Sequence, residues 1–412
     1  MNIYLTIVIV SLVGGYIVTL VTSVLNRQHV SLHLPEEFVG TYDPDRYQRS
    51  QAYTRQSIFL NLSAATFDLA LLLGFLFLGG FNWLDLMLRP MIDSELLRGL
   101  AYLGVLFVAA DLLSTPFELY RIFVLEERFG FNTMTPRLYV TDKIKSLLLA
   151  VIIGIPILAS ILYILQNYGA WAWVLCWLLV SAAVLLLQYL APRYILPLFN
   201  TFTPLAPGEL REKIEALVRR TGFEPEGIFI MDGSKRSTKS NAFFTGLGRH
   251  KRIALYDTLV QDHAQDELLA ILAHEIGHFK LGHIRKNMLV TLAKSALVFL
   301  LMSLAISHPP LHAAFGMDNV TVYAGMVFFF LLYSPVSMAT GVFFNALSRR
   351  FEYQADRFAA DLLDTPGPLV RALKRLAVKN LSNLTPHPWY VFLNYSHPPV
   401  LRRITALQHS PQ

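Results

Sequence analysis

The chain has 412 residues, 54% of them hydrophobic and only 16% charged, with a mean hydropathy of +0.45. That balance excludes an ordinary soluble domain and a disordered chain alike. The net charge of +6 comes without any Lys/Arg run interleaved with aromatics, so nothing argues for nucleic acid, and anionic lipid headgroups are the fitting counter-charge.

Apolar runs near 3–24, 58–80, 99–119, 146–166, 170–190, 287–307 and 321–344 each approach the ~20 residues that cross a bilayer, which predicts seven spans. The first has no basic residue ahead of it and no evident small-residue cleavage site, so it reads as a retained helix. Arginine and lysine crowd into alternate connections: Arg27, Arg46, Arg49 and Arg55 after the first run, and Arg121, Arg128, Arg137, Lys143 and Lys145 after the third. They recur over 192–286 and from 349 onward, whereas the opposite side carries Arg89 and Arg98. The positive-inside rule then places the N-terminus outside and both later segments in the cytoplasm. Asp68, Asp111 and Lys294 fall inside spans, where each must face another polar group or water. The residues leave open whether they pair across tightly packed helices or line a wet interior. The single cysteine, Cys176, rules out a disulfide within the chain and makes a cysteine-based metal site a poor fit. Trp171, Trp173 and Trp177 suit an interfacial belt.

Residues 192–286 read as a compact α/β segment. Charges and apolars at helical spacing predict a helix over 208–221 that Gly222 ends. Gly227–Met231 and Arg252–Tyr256 read as strands, with a Ser/Lys-rich loop over 234–240 and an extended stretch over Asn241–Phe244. An edge strand there would let an extended peptide add to the sheet, whereas an internal strand would be covered on both sides.

The pentad His274-Glu275-Ile276-Gly277-His278 follows on an apolar helix. At about 100° per residue its two imidazoles stand one turn apart on one face, within reach of a single Zn²⁺. Such a site leaves room for a third protein ligand and a water whose pKa the metal lowers to about 7, with the glutamate taking its proton as it attacks a carbonyl. That is peptide hydrolysis. His283 lies five residues beyond His278, off the metzincin spacing, and a continuing helix would turn it away from the metal. A better third ligand lies past the last span, where Glu352 and Asp356 share a helix face. We assign Glu352 to the metal and Asp356 to the far nitrogen of a ligand imidazole; ordinary ion pairs with Arg349, Arg350 or Arg357 are the alternative. An amphipathic helix is predicted over 367–382, and the prolines of Asn394-Tyr395-Ser396-His397-Pro398-Pro399 hold an irregular, extended stretch around His397.

Together with Phe351-Glu352-Tyr353-Gln354-Ala355-Asp356, the pentad resembles the integral-membrane CAAX prenyl protease family, zinc endopeptidases of the gluzincin type. The likeness extends to Leu34–Phe38, Glu126–Asn132, Ser240–Gly246 and Tyr395–Pro399, nearly the whole chain. The resemblance implies seven helices enclosing an intramembrane chamber with the zinc domain capping one end. It further implies substrate-backbone contacts at Asn241 and Ala242, oxyanion support from His397, and an arginine near the site at Arg403.

The expectation is a mainly α-helical polytopic membrane protein. Residues 1–191 carry the first five helices, 192–286 the α/β zinc segment, 287–344 the last two spans, and 345–412 the rest of the zinc domain. The expected activity is zinc-dependent cleavage of prenylated CAAX-type or other membrane-associated peptides. A membrane-protein quality-control protease of the heat-shock group and a catalytically silent scaffold or transporter are the alternatives. The lack of a long luminal insert, an evident ER-retention signal and an extended tail points to a bacterial inner membrane.

Overall fold

A computed structural model describes residues 2–223, 225–245 and 252–409. Seven helices are long and apolar enough to cross a membrane: Ile3–His29, Pro44–Phe77, Glu95–Glu126, Pro136–Asn167, Gly169–Phe199, His283–Ala305 and Val322–Leu362. They are called spans one to seven. Several outrun their apolar cores because nothing breaks the helix at the bilayer boundary. Span seven continues through Glu352 and Asp356 to Leu362, and span two begins at Pro44, capped by Asp43.

The spans contact one another in a ring: one with two, two with three, and so on to seven, which packs back on one. Each buries little of itself, no more than 17% of its apolar window. Helices wrapped on a solid core would bury far more. At the end remote from the sheet, the ring is plugged by Phe81, Leu84, Tyr102, Leu162, Tyr323 and Phe328, beneath a short helix at Gly80–Leu88. The other end is capped by the α/β unit, so the seven helices enclose a chamber closed at both ends.

Of the charges expected inside spans, Asp111 finds neither Asp68 nor Lys294. It pairs at 2.8 Å with Lys143, which also holds Glu118. The charge pattern places Lys143 in a loop, but span four begins at Pro136 and includes it. Lys294 instead lies over the Phe344 ring at 5.2 Å.

The capping unit holds a sheet of order β1-β2-β4-β3, with β1 Phe202–Pro204, β2 Gly227–Met231, β3 Ala242–Thr245 and β4 Arg252–Tyr256. β2 and β4 run parallel, while β1 and β3 are antiparallel to their neighbours. β1 escaped the sequence reading because three residues ending in proline carry no period-2 signal. β3, the extended stretch, lies at the sheet edge. Gly246, the end of the matching block, lies outside the described residues. The helix Glu209–Thr221 stops at Gly222, whose φ of 58° lies in the left-handed region that closes a helix.

The core under the sheet joins distant stretches. Ile214, Leu217, Ile253, Leu255, Leu268 and Leu272 pack with Leu369, Leu373 and Ile404 from the tail, and with Phe38, Tyr42 and Tyr47 from the first connection. The Leu34–Phe38 block therefore belongs to the cap. The basic connections after spans one, three and five all gather on this side. Residues 131–133 hydrogen-bond with 236–238, and Arg236 reaches Asp142 and the Phe199 carbonyl.

Candidate metal centre and active site

The pentad lies on the helix Gln265–Lys280, packed against the extension of span seven. The two approach closely because their contact is made of small residues: Ala270, Ala273, Ala355 and Ala359 are buried, and a Cβ on Gly277 would sit 3.2 Å from the Cα of Ala355. Larger side chains would hold the backbones apart.

That approach brings His274, His278 and Glu352 together, with one ligand-capable atom of each within 4.8 Å of the others. The Nε2 atoms of His274 and His278 are 3.2 Å apart, and Glu352 Oε1 is 3.3 Å from His278 Nε2. Glu352 Oε2 is 3.6 Å from His274 Nε2. Ligands held about 2.0–2.1 Å from a tetrahedral Zn²⁺ stand about 3.3 Å apart, so the separations fit. The donor chemistry fits too. Asp356 Oδ1 lies 2.8 Å from His274 Nδ1, so that nitrogen is a donor to the carboxylate and Nε2 is the atom turned toward the metal position. Glu352 Oε2 is buried without a hydrogen-bond partner, although Arg403 lies 3.4 Å away. Converging ring nitrogens and an orphaned carboxylate oxygen suit a cation.

The electrostatics agree. Burial pulls the His274 pKa down, but its hydrogen bonds to the Asp356 and Glu352 carboxylates override it and push it up to about 9. Arg403 grips Asp356 with two hydrogen bonds of 2.8 and 2.5 Å, and despite burial Asp356 raises its pKa. Glu275 lines the cavity, and burial raises its pKa against the lowering pull of His274 and His278. Among the described residues Glu275 has no hydrogen bond or ion pair.

A cavity of about 490 Å³ opens beside these groups. One wall is Ser240, Asn241 and Ala242 leading into β3; the other is apolar, from Leu259, Ile271, Leu369 and Leu373. The Asn241 carbonyl accepts from Tyr256 N, and its side chain accepts from Ala242 N. The approach to β3 is pinned from two sides. Asn380 exchanges hydrogen bonds with the Ser240 backbone, and Lys239 binds Glu126 and Tyr53 at 2.8 and 2.9 Å.

His397 lies at the cavity, with Nε2 3.3 Å from Glu352 Oε1. Its loop is held by a pair the sequence reading missed. Arg349 donates to the Tyr395 and Val391 carbonyls, and Asn345 to the Leu393 carbonyl. Arg349 is therefore no ion-pair partner of Glu352 or Asp356, and Arg357 reaches Asp361 instead. A signal was present: Asn345, Arg349 and Glu352 share one helix face at spacings of four and three. Arg403, grouped with substrate contacts in the sequence reading, lines the same cavity while directing its hydrogen bonds to Asp356.

A chamber of seven membrane helices capped by an HExxH helix and a facing glutamate defines a membrane metalloendopeptidase. The description "CAAX prenyl protease N-terminal, five membrane helices" matches residues 24–201, and "Peptidase family M48" matches residues 204–410. The chain is 35% identical to the CAAX prenyl protease 1 homolog of Oryza sativa subsp. japonica, over 93% of this chain and 92% of that protein. It is also 35% identical to CAAX prenyl protease 1 of Saccharomyces cerevisiae, over 91% of this chain and 88% of the yeast protein. The crystal structure of S. mikatae Ste24p superimposes with a TM-score of 0.94 at 33% identity, covering 99% of this chain and 100% of that one. The chain belongs to peptidase family M48, within its CAAX prenyl protease group.

Proposed function

We propose that this chain is a zinc-dependent endopeptidase that cleaves near the C-terminus of prenylated CAAX-type or other membrane-associated peptides. The observation that carries the reading is the convergence of His274, His278 and Glu352. These three would hold one Zn²⁺, which when bound supplies Lewis acidity toward a carbonyl and an acidified water. Glu275, with no hydrogen bond or ion pair among the described residues, takes the proton from the attacking water and passes it to the departing amine. Asp356 keeps His274 in the tautomer whose Nε2 faces the metal, and Arg403 keeps Asp356 in place. Asn241 and Ala242 are read as the substrate-backbone contacts: the Ala242 carbonyl faces the open edge of the sheet, where an extended peptide can pair, with the Asn241 side chain beside it. The apolar wall of Leu259, Ile271, Leu369 and Leu373 accepts aliphatic side chains beside the scissile bond. His397 donates to the oxygen on which negative charge develops.

We further propose that the working domain is assembled from 192–286 and 345–412, with 1–191 and 287–344 forming the chamber. The basic connections share the cap's side, which supports a cytoplasmic metal centre and an outside N-terminus. The short connections on the side away from the cap support a bacterial inner membrane as host; the relatives reported above are eukaryotic. Lipidation as a requirement draws its support from the names of those relatives.

The test is cleavage of a farnesylated and an unlipidated version of one CAAX peptide by purified protein, with cleavage sites read by mass spectrometry. Chelator-sensitive cleavage of the farnesylated peptide, absent in Glu275→Gln, is expected. Preference for unfolded membrane segments over the farnesylated peptide would move the reading to quality-control proteolysis.

A further inference from the structure

The two pentad imidazoles are supported differently. His274 has a carboxylate on its far nitrogen, but His278 has another imidazole: its Nδ1 faces His283 Nδ1 at 3.1 Å, and His283 Nε2 lies 3.0 Å from Gln354 Oε1. We propose that His283 and Gln354 form an uncharged relay that fixes the tautomer and ring orientation of His278, making His283 a positioning residue for the metal centre. This rests on the reading of His278 as a ligand.

The donor arithmetic admits one arrangement compatible with a metal. Two imidazole nitrogens can share a hydrogen bond only if one of them carries the proton. With the Gln354 oxygen accepting, the proton of neutral His283 sits on Nε2 and its Nδ1 has a lone pair. His278 must then donate from Nδ1, which leaves its Nε2 without hydrogen, turned toward His274 and Glu352. The opposite amide orientation would reverse every bond and place a hydrogen on His278 Nε2, where no metal could bind. The acceptor on Gln354 therefore sets the proton position two rings away.

The backbone is shaped to make this contact. The pentad helix ends at Lys280, Gly282 adopts φ of 69°, and a new helix starts at His283. This break overturns the continuous helix assumed from sequence, which would have carried position 283 away. A residue with a Cβ is strained at that φ. His283 is buried and lies flat on Phe351, with ring centroids 4.2 Å apart and planes at 11°. Phe351, Glu352, Gln354 and Asp356 all belong to the span-seven helix. That helix thus supplies one ligand, the carboxylate behind His274, and both the stacking surface and the acceptor behind His278.

Charge explains why the second support is uncharged. Glu352, Asp356 and Glu275 bring three negative charges and Arg403 one positive, so a divalent cation makes the set neutral. A carboxylate at position 354 would leave excess negative charge around the metal.

The experiment uses the purified full-length protein, stripped of metal and titrated with zinc against a competing chelator. Gln354→Met removes the acceptor while keeping length, and is expected to weaken zinc binding about 10- to 100-fold, as is His283→Ala. Gln354→Glu restores an acceptor and adds negative charge, and is expected to bind zinc at least as tightly as wild type. Thermal unfolding of the metal-free proteins separates this from a packing role: Gln354→Met keeps the side-chain length and should remain folded with only the modest destabilisation of one lost buried hydrogen bond. Should His283→Ala fail to fold, the Gln354 pair decides alone. Wild-type zinc affinity in Gln354→Met overturns the relay. Wild-type affinity in His278→Ala would overturn the ligand assignment itself, so the two failures are distinguishable.

Discussion

The metal centre and the charged cluster in the helix ring are made of the same side-chain types on opposite terms. At the metal centre the side chains of Glu352, Asp356 and Arg403 are 5%, 3% and 11% exposed, and each charge is answered by a partner in fixed geometry. Around Lys143 the carboxylates of Asp111 and Glu118 are 38% and 45% exposed. Low dielectric makes the first set stiff and intolerant of the loss of one member, whereas solvent screening makes the second replaceable. Only the first could hold reacting groups in register.

The largest effect should come from Glu275→Gln, which keeps the shape of the metal centre but removes the base. Peptide cleavage should fall about 10²- to 10⁴-fold while bound metal stays at the wild-type level. Activity near wild type would break the comparison at its functional end. Next comes Asp356→Ala, which leaves Arg403 buried beside an empty site and strips His274 of its acceptor. A loss of about 3–5 kcal/mol in folding stability is expected, measured by denaturant unfolding of the cap with the protein in detergent.

The third effect is on pH. The carboxylates around His274 push its pKa up to about 9, so below that value a proton occupies the position a metal needs. Metal affinity should fall about tenfold per unit as pH drops from 9 toward neutrality. In the metal-free protein the same raised pKa stabilises the fold fully below about 6.5, the ordinary histidine value, and that contribution is lost as pH rises through about 9. A metal affinity flat over that window would show that the buried set does not act electrostatically as described. The smallest effect should be that of Lys143→Met, below about 1 kcal/mol in stability, because its partners are solvated. A loss as large as that of Asp356→Ala would erase the distinction between the two clusters.

The membrane architecture was largely legible because hydropathy over about 20 residues is a strong local signal. Its edges were not: nothing apolar marks how far span seven runs past the bilayer, yet that extension carries Glu352 and Asp356. The pentad and the Glu352/Asp356 pair could be read as one site because helix spacing fixes which side chains face together. Three other features depend on contacts between stretches far apart in sequence. Phe38 and Tyr47 join the cap core from the first connection, and Arg349 holds the His397 loop through backbone carbonyls, which carry no residue signature. Lys143 was assigned to a loop because positive charge was taken to mark the membrane boundary. His283 was legible in part: Gly282 was the clue that the helix breaks, and taking the helix as continuous hid it.

The account stands on one metal ion held jointly by the pentad helix and the extension of span seven. Zinc-edge X-ray absorption on the purified protein and on Glu352→Gln tests it most directly. Wild type should hold one zinc per chain with two imidazole nitrogens and light oxygen donors, and Glu352→Gln should lose the metal or show a changed first shell. An unchanged zinc spectrum and stoichiometry in Glu352→Gln would contradict the shared site.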